Sequence, residues 1–161
     1  MVNKVLVRFM KASDRPSLVK ILRSTPEFLP FEVPVARDLI DAYLEQPENG
    51  DYTVIVAEVG NEIAGYVCYG QTPLTQGTWD IYWIAVRRDL QGVGVGRALM
   101  AEAEKKIAEK GGRLAVIETS SKPNYDKTRR FYALLEYSEV ACIADFYSPG
   151  DNKIILVKRL R

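Results

Sequence analysis

Residues Leu90 to Leu99 read LQGVGVGRAL, which places glycines at 92, 94 and 96 between two strongly patterned segments. Upstream, TWDIYWIAV (78–86) is rich in aromatic and β-branched residues and reads as a strand. Downstream, Leu99, Ala103 and Ile107 fall on one helical face, and Gly111-Gly112 end that helix before a short strand in RLAVIETS. A strand, helix and strand joined in this way favour parallel pairing across the helix.

Glycine has no Cβ, so another group can lie directly on its backbone. The first turn of a helix adds N–H groups that lack internal partners. Together these features make an anion site, most often for phosphate. Close packing of helix on sheet accounts for one such glycine more readily than for three, since each costs up to about 1 kcal/mol relative to alanine where the backbone is helical.

Spacing tests the familiar phosphate loops. A G-x-G-x-x-G pattern from Gly92 needs glycine where Arg97 stands, and one from Gly94 needs it where Leu99 stands. No Gly-Lys-Ser/Thr follows, so a Walker loop fails as well. Glu118 lies where a ribose-binding acid would in a dinucleotide fold, but the failed glycine spacing outweighs it.

The rest of the chain supplies the frame. NKVLVRFM reads as a first strand, SDRPSLVKILRS as a helix with Ser13 as N-cap and Leu18, Ile21 and Leu22 inward, and VARDLIDAYLEQ as a second helix. YTVIVAEV and EIAGYVCYG form a hairpin about Gly60-Asn61. NYDKTRRFYALLEY is a further helix, and SEVACIADFY and NKIILVKRL close the chain as strands around SPGD. The order β-αα-βββ-α-β-α-ββ implies a mixed α/β fold of the α+β type, with a central sheet of about seven strands flanked by about four helices.

The length of 161 residues and the 47% hydrophobic content suit a single domain over 1–161. A formal net charge of +1 supplies no bulk field for a polyanion, so no nucleic-acid partner is expected and any anion must be bound locally. Apolar runs are interrupted by charge well short of the roughly 20 residues a bilayer requires, and Arg8 and Lys11 break up the N-terminal segment. No membrane association and a cytoplasmic location are the resulting expectations. Cys68 and Cys142 both sit in β-like runs where buried free thiols are ordinary. The chain has no histidine, which removes Ser-His-Asp and Cys-His nucleophiles and most zinc sites. The expected chemistry, without a metal, runs on carboxylates, tyrosines, backbone dipoles or a bound cofactor.

Gln91-Gly92-Val93-Gly94-Val95-Gly96, set between strand and helix, resembles motif A of the GCN5-related N-acetyltransferases, the GNAT family, and TRRFYALLEY resembles its motif B. The resemblance extends over the element order from residue 4 to 160. It implies that Gln91, Gly92, Val93, Gly94, Val95, Gly96 and Arg97 hold the pyrophosphate of acetyl-CoA, with Arg88 adding local charge. It also implies that the strand through Ile84, Ala85 and Val86 splays from its neighbour and lies along the pantetheine arm, one N–H polarising the thioester carbonyl. Two positions depart from the family pattern: Tyr125 stands where asparagine is frequent, with Asn124 one step out of register, and Glu136 stands where glycine is common.

Transfer of acetyl to an amine needs a neutral amine, a stabilised oxyanion and a proton for the departing thiolate. Phe131, Leu134 and Leu135 share the spacing of a core face, whereas Tyr132 falls about 100° from Phe131 and lines up with Thr128. Thr128 is counted with the cofactor-contacting residues. A phenol of pKa about 10 is protonated at neutral pH and can donate to a thiolate whose acid is near 8.5, and the resemblance implies that role for Tyr132. Asp80 is the first candidate base and Glu118 the second, each acting directly or through water.

The loop TPEFLPFEVP mixes Glu27 and Glu32 with Phe28 and Phe31. It reads first as a surface loop whose phenylalanines pack on the core, and second as a contact for a cationic amine with an apolar stem. The expected activity is acetyl-CoA-dependent acetylation of a primary amine on a small molecule, peptide or protein. The alternative is a non-catalytic acyl-CoA-binding regulatory module. An exposed edge in the closing strands leaves room for a homodimer.

Overall fold

The computed structural model describes residues 4–160. Strand β1 (Val5–Phe9) is followed by helices α1 (Arg15–Ser24) and α2 (Glu32–Glu45), and then by strands β2 (Thr53–Val59), β3 (Glu62–Gln71) and β4 (Thr78–Val86). Helix α3 (Val95–Glu109), strand β5 (Leu114–Ser120), helix α4 (Asp126–Leu134) and strands β6 (Ser138–Ser148) and β7 (Asp151–Arg159) complete the chain. The strands form one sheet in the order β1-β2-β3-β4-β5-β7-β6. β4 and β5, joined across α3, are parallel, and the other neighbours are antiparallel. The mixed sheet and element order are those the sequence implied.

Helices cover both faces. Ile55, Val67, Ile81 and Ile117 meet Leu99, Met100 and Ile107 of α3, and Tyr132 and Leu135 join them. On the opposite face Val54, Val56, Tyr66 and Cys68 meet Leu18 and Leu22 of α1 and Ile40 of α2. Because β2 and β3 are covered on both sides, Val54 to Ala57 form an unbroken apolar run. Each such fully buried side chain contributes about 1.5–3 kcal/mol.

A β-bulge re-aims β4. Tyr69 pairs with Ile81 and Cys68 with Trp83, which leaves Tyr82 without an opposite number. Trp79 and Ile81 therefore face α3, while Trp83 and Ala85 face α1 and α2, and Ile84 and Val86 turn back toward α3.

Three expectations are corrected. Ser13 does not cap α1: a 3-10 turn at Ala12–Asp14 precedes the helix, and the buried Asp14 carboxylate accepts the Lys11 N–H and an Arg8 N–H, both at 2.8 Å. Cys142 is exposed, because β6 lies at the sheet edge and all its residues are exposed, while Cys68 is buried as expected. The core face of α4 carries Tyr132 rather than Leu134, since the register that buries Tyr132 and Leu135 turns Leu134 out to 71% exposure.

Candidate active site

β4 and β5 pair from Thr78 opposite Leu114 to Ile81 opposite Ile117, and there the ladder stops, although β4 runs on to Val86 and β5 to Ser120. β4 keeps its partner on the other side, with Ile84 opposite Val67, Ala85 opposite Tyr66 and Val86 opposite Gly65. From Tyr82 onward one edge of β4 has no strand against it. Backbone groups along that edge need another partner. The sequence expectation of a splayed strand through Ile84, Ala85 and Val86 is thereby met, and the bulge at Tyr82 sits where the strands part.

The split leads into the glycine loop. Gly92 and Gly94 have φ of +79° and +96°, and a Cβ on either would meet nothing within 4 Å. Their glycines are required by backbone conformation and open onto free space. Gly96 differs: a Cβ there would stand 3.0 Å from Phe131 Cζ, so its bareness admits α4 against the first turn of α3. The packing explanation holds for this one glycine.

None of the N–H groups from Gly92 to Arg97 makes a backbone hydrogen bond among the described residues; the first helical bond runs from the Ala98 N–H to the Gly94 carbonyl at 3.0 Å. These donors and the positive end of α3 form a cradle for an anion. Gln91 Nε2 donates to the Val86 carbonyl at 3.2 Å, tying the loop to the end of β4. Val95 is buried at 1% exposure, so its side chain anchors the loop in the core. Val93, Arg88 and Arg97 are exposed, and neither arginine is paired with a carboxylate among the described residues. The open cradle, its free donors and the nearby guanidinium groups fit a pyrophosphate.

Two of the acid–base candidates, Asp80 and Glu118, lie at the fork, and the third, Tyr132, packs in the core on the α3 face of the sheet. Asp80, opposite Val116, is one position before the last β4–β5 pair, and Glu118 is one position beyond it on the same sheet face as Val116. The half-buried Asp80 accepts from Thr72 Oγ1 at 2.7 Å and from the Tyr82 hydroxyl at 3.4 Å. Glu118 is exposed and its carboxylate is held by Lys153 Nζ at 2.8 Å. Tyr132 is 5% exposed, with Phe131 and Tyr137 rings against it at 5.4 and 6.0 Å between centroids. Burial, and the neighbouring Tyr125, push its hydroxyl well above the ordinary tyrosine value, so it is protonated across the neutral range. Thr128 is half-buried one turn earlier on α4, and Asn124 is exposed. Among the described residues no group of three or more His, Cys, Asp and Glu is placed to hold a metal ion.

Sequence reasoning gave too little weight to the loop between α1 and α2. Phe28 packs edge-on against Trp83 of β4, with ring centroids 5.2 Å apart. One residue earlier, the Glu27 carbonyl accepts the Tyr125 hydroxyl at 3.1 Å from the segment that follows β5. The loop thus spans the two walls of the split. Phe28 packs as expected, but Phe31 is 70% exposed. The mixture of acids and phenylalanines in TPEFLPFEVP was the available signal.

The open β4–β5 fork runs directly into the glycine cradle at the start of α3, and comparison with known proteins gives the class of protein that carries this fold. The profile described as Acetyltransferase (GNAT) family matches residues 16–137. A solved structure from Desulfovibrio desulfuricans assigned to the GNAT family is 39% identical, covers 98% of this chain and 100% of its own, and superposes with a TM-score of 0.93. The uncharacterized N-acetyltransferase MJ1530 of Methanocaldococcus jannaschii is 23% identical over 158 residues, 96% of this chain and 92% of its own. An aminoglycoside 6'-N-acetyltransferase solved with coenzyme A shares the fold, with a TM-score of 0.75, 16% identity and 96% coverage of each chain. This chain belongs to the acetyltransferase (GNAT) family.

Proposed function

We propose that this protein moves an acetyl group from acetyl-CoA directly to a primary amine of a small molecule, peptide or protein. The observation that carries the proposal is the unpaired edge of β4 leading straight into the free N–H groups of Gly92 to Arg97. When bound, acetyl-CoA supplies a thioester carbonyl as electrophile.

The free N–H groups from Gly92 to Arg97, with the Gln91 side chain, Arg88 and Arg97 beside them, hold the pyrophosphate. Ile84, Ala85 and Val86 pair with the amide-bearing arm as a strand would, and one of their N–H groups polarises the thioester carbonyl. Thr128 flanks that arm from α4. Asp80, held by Thr72 and Tyr82, takes the proton of the incoming amine directly or through water. Glu118 is the second candidate, already engaged by Lys153. The amine nitrogen bonds to the carbonyl carbon, the carbon–sulfur bond breaks, and Tyr132 gives its proton to the leaving thiolate. No metal and no covalent enzyme intermediate enter this scheme.

The proposal extends to a cytoplasmic protein that works without nucleic acid or membrane. No helix among the described residues is long and apolar enough to cross a membrane. It also includes a homodimer formed along β6, whose 11 residues are all exposed at the sheet edge.

Calorimetric titration with acetyl-CoA, with NAD and ATP as controls, tests the first step, and release of free coenzyme A thiol across a panel of amines tests the second. Selective acetyl-CoA binding with thiol release is the expected result. Binding without transfer to any amine gives the non-catalytic acyl-CoA module instead, and failure of a folded sample to bind acetyl-CoA overturns both readings.

A further inference from the structure

We infer that the seam between α1 and α2 is a docking groove for an acidic stretch of polypeptide, so that the amine acceptor is a protein or peptide with carboxylates a few residues from the amine. The acceptor part of this inference rests on the acetyl-transfer reading above.

α1 and α2 bury Leu18, Leu22 and Ile40 against the sheet, and beside the buried Val19 they leave an open groove of about 530 Å³. Arg15, Lys20 and Arg23 of α1 and Arg37 of α2 line it, and among the described residues no acid does. Arg15 stands at the start of α1, where the helix dipole disfavours a cation. It is held there by Asp41, donating from Nε to Oδ1 at 2.6 Å and from Nη2 to Oδ2 at 3.0 Å. Lys20, Arg23 and Arg37 have no carboxylate partner among the described residues. Lys20 and Arg23, three apart on one helix, repel each other, and Arg37 adds its charge to the same space. The whole chain sets 22 cations against 21 acids, so these unanswered cations are a local concentration and not the chain's general charge.

The form of the groove selects the anion. From Arg15 to Arg23 the helix rises about 12 Å, so the charges are strung along the seam and do not gather about one point as a lone phosphate group would need. An extended polypeptide presents side chains on one side about every 7 Å, and a run of acids meets such a row charge by charge. No aromatic side chain lines the groove among the described residues, so a single-stranded nucleic acid finds no surface on which to stack its bases.

Position ties the groove to the fork. Ser24 lines the groove, and Phe28, four residues further on, packs against Trp83 of β4. That length of chain spans at most about 14 Å, which is also the reach of about four residues of an extended acceptor. An amine held at the fork therefore brings the acceptor's acids over Arg23, Lys20 and Arg37 when they begin about four residues away.

The test is calorimetric binding of two synthetic peptides to the full-length protein saturated with coenzyme A. One carries a free N-terminal amine, a spacer of about four neutral residues and then a run of glutamates, and the other has glutamine in place of each glutamate. Wild type, the combined variant Lys20→Gln, Arg23→Gln and Arg37→Gln, and the control Lys110→Gln, exposed and outside the groove, are compared. In wild type and the control the acidic peptide is expected to bind roughly 10-fold or more tightly than the neutral one, with the difference shrinking as salt is raised. In the combined variant the difference is expected to vanish while coenzyme A affinity is unchanged. Equal binding of the two peptides by wild type, or a preference for the acidic one that survives in the combined variant, overturns the inference. Tighter binding of tripolyphosphate or of an oligoribonucleotide to the same three side chains overturns it as well and gives the groove to that polyanion. Acidic-peptide binding without release of coenzyme A thiol from acetyl-CoA overturns the transferase reading and leaves the docking groove standing.

Discussion

The Phe131 ring of α4 stands 3.0 Å from where a Cβ on Gly96 of α3 would lie, so the two helices that flank the fork touch at a glycine in the first turn of α3. Gly96→Ala forces that ring aside and shifts the start of α3 against the neighbour of Tyr132. Overpacking of this kind costs about 1–3 kcal/mol. A lowered Tm together with weaker acetyl-CoA binding is expected, from thermal melts run with and without ligand.

Gly94→Ala separates conformation from contact. Its Cβ would enter open space, but φ is +96°, where an L side chain is strained. The expected loss of stability is about 1–2 kcal/mol, with a larger proportional loss of acetyl-CoA affinity because the cradle N–H groups turn with the backbone. Calorimetry on the folded variant reads both.

Tyr132→Phe removes the proposed proton donor while keeping the ring packed against Phe131 and Tyr137. Turnover is expected to fall roughly 10²–10⁴-fold with acetyl-CoA affinity retained. Unchanged kcat takes Tyr132 out of the mechanism. In the same assay Asp80→Asn is expected to depress kcat more than Glu118→Gln; the reverse order moves the base to Glu118.

Glu136 occupies φ +71° just beyond α4, a left-handed position that a glycine takes without strain. Glu136→Gly is expected to stabilise the protein by about 1 kcal/mol, a rise in Tm of about 2–4 °C at this chain length. Differential scanning calorimetry checks it.

Asp14 supplies an acid-sensitive brace. Burial alone would raise its carboxyl, but hydrogen bonds from Arg8 and the Lys11 N–H hold it below its ordinary 3.8. A depressed folded value means that the stabilisation is complete above 3.8 and is lost as the pH falls through the lower folded value. Asp14→Asn is expected to cost about 1–3 kcal/mol at neutral pH and to flatten the acid side of the stability curve, measured by urea unfolding as a function of pH.

The fold was largely legible because its signals are local. Alternation and turn pairs mark β2, β3 and β4, and the glycine pair after α3 ends that helix where expected. The loop Gln91 to Arg97 was legible for the same reason. What the sequence hid depends on tertiary register. Spacing alone turned Tyr132 away from the core of α4, yet the sheet beneath that helix selects Tyr132 and Leu135. Ser13 and Asp14 are equal as caps by residue type, and a partner from β1, Arg8, fixes Asp14 at that place. Glu27 gained its place from contacts with Trp83, through Phe28, and with Tyr125, far apart in the chain, which no window of sequence contains.

The edge of β4 beyond Ile81 means that the sheet is unfinished in the protein by itself. Every second residue of a strand aims its amide outward, so an amide-bearing ligand laid there acts as a temporary eighth strand. Under the proposed function, a ligand present at 100-fold above its Kd stabilises the folded state by about 2.7 kcal/mol. On the proposed function, amide protons near Ile84 to Val86 are expected to exchange more slowly in the acetyl-CoA-bound protein than in the free one.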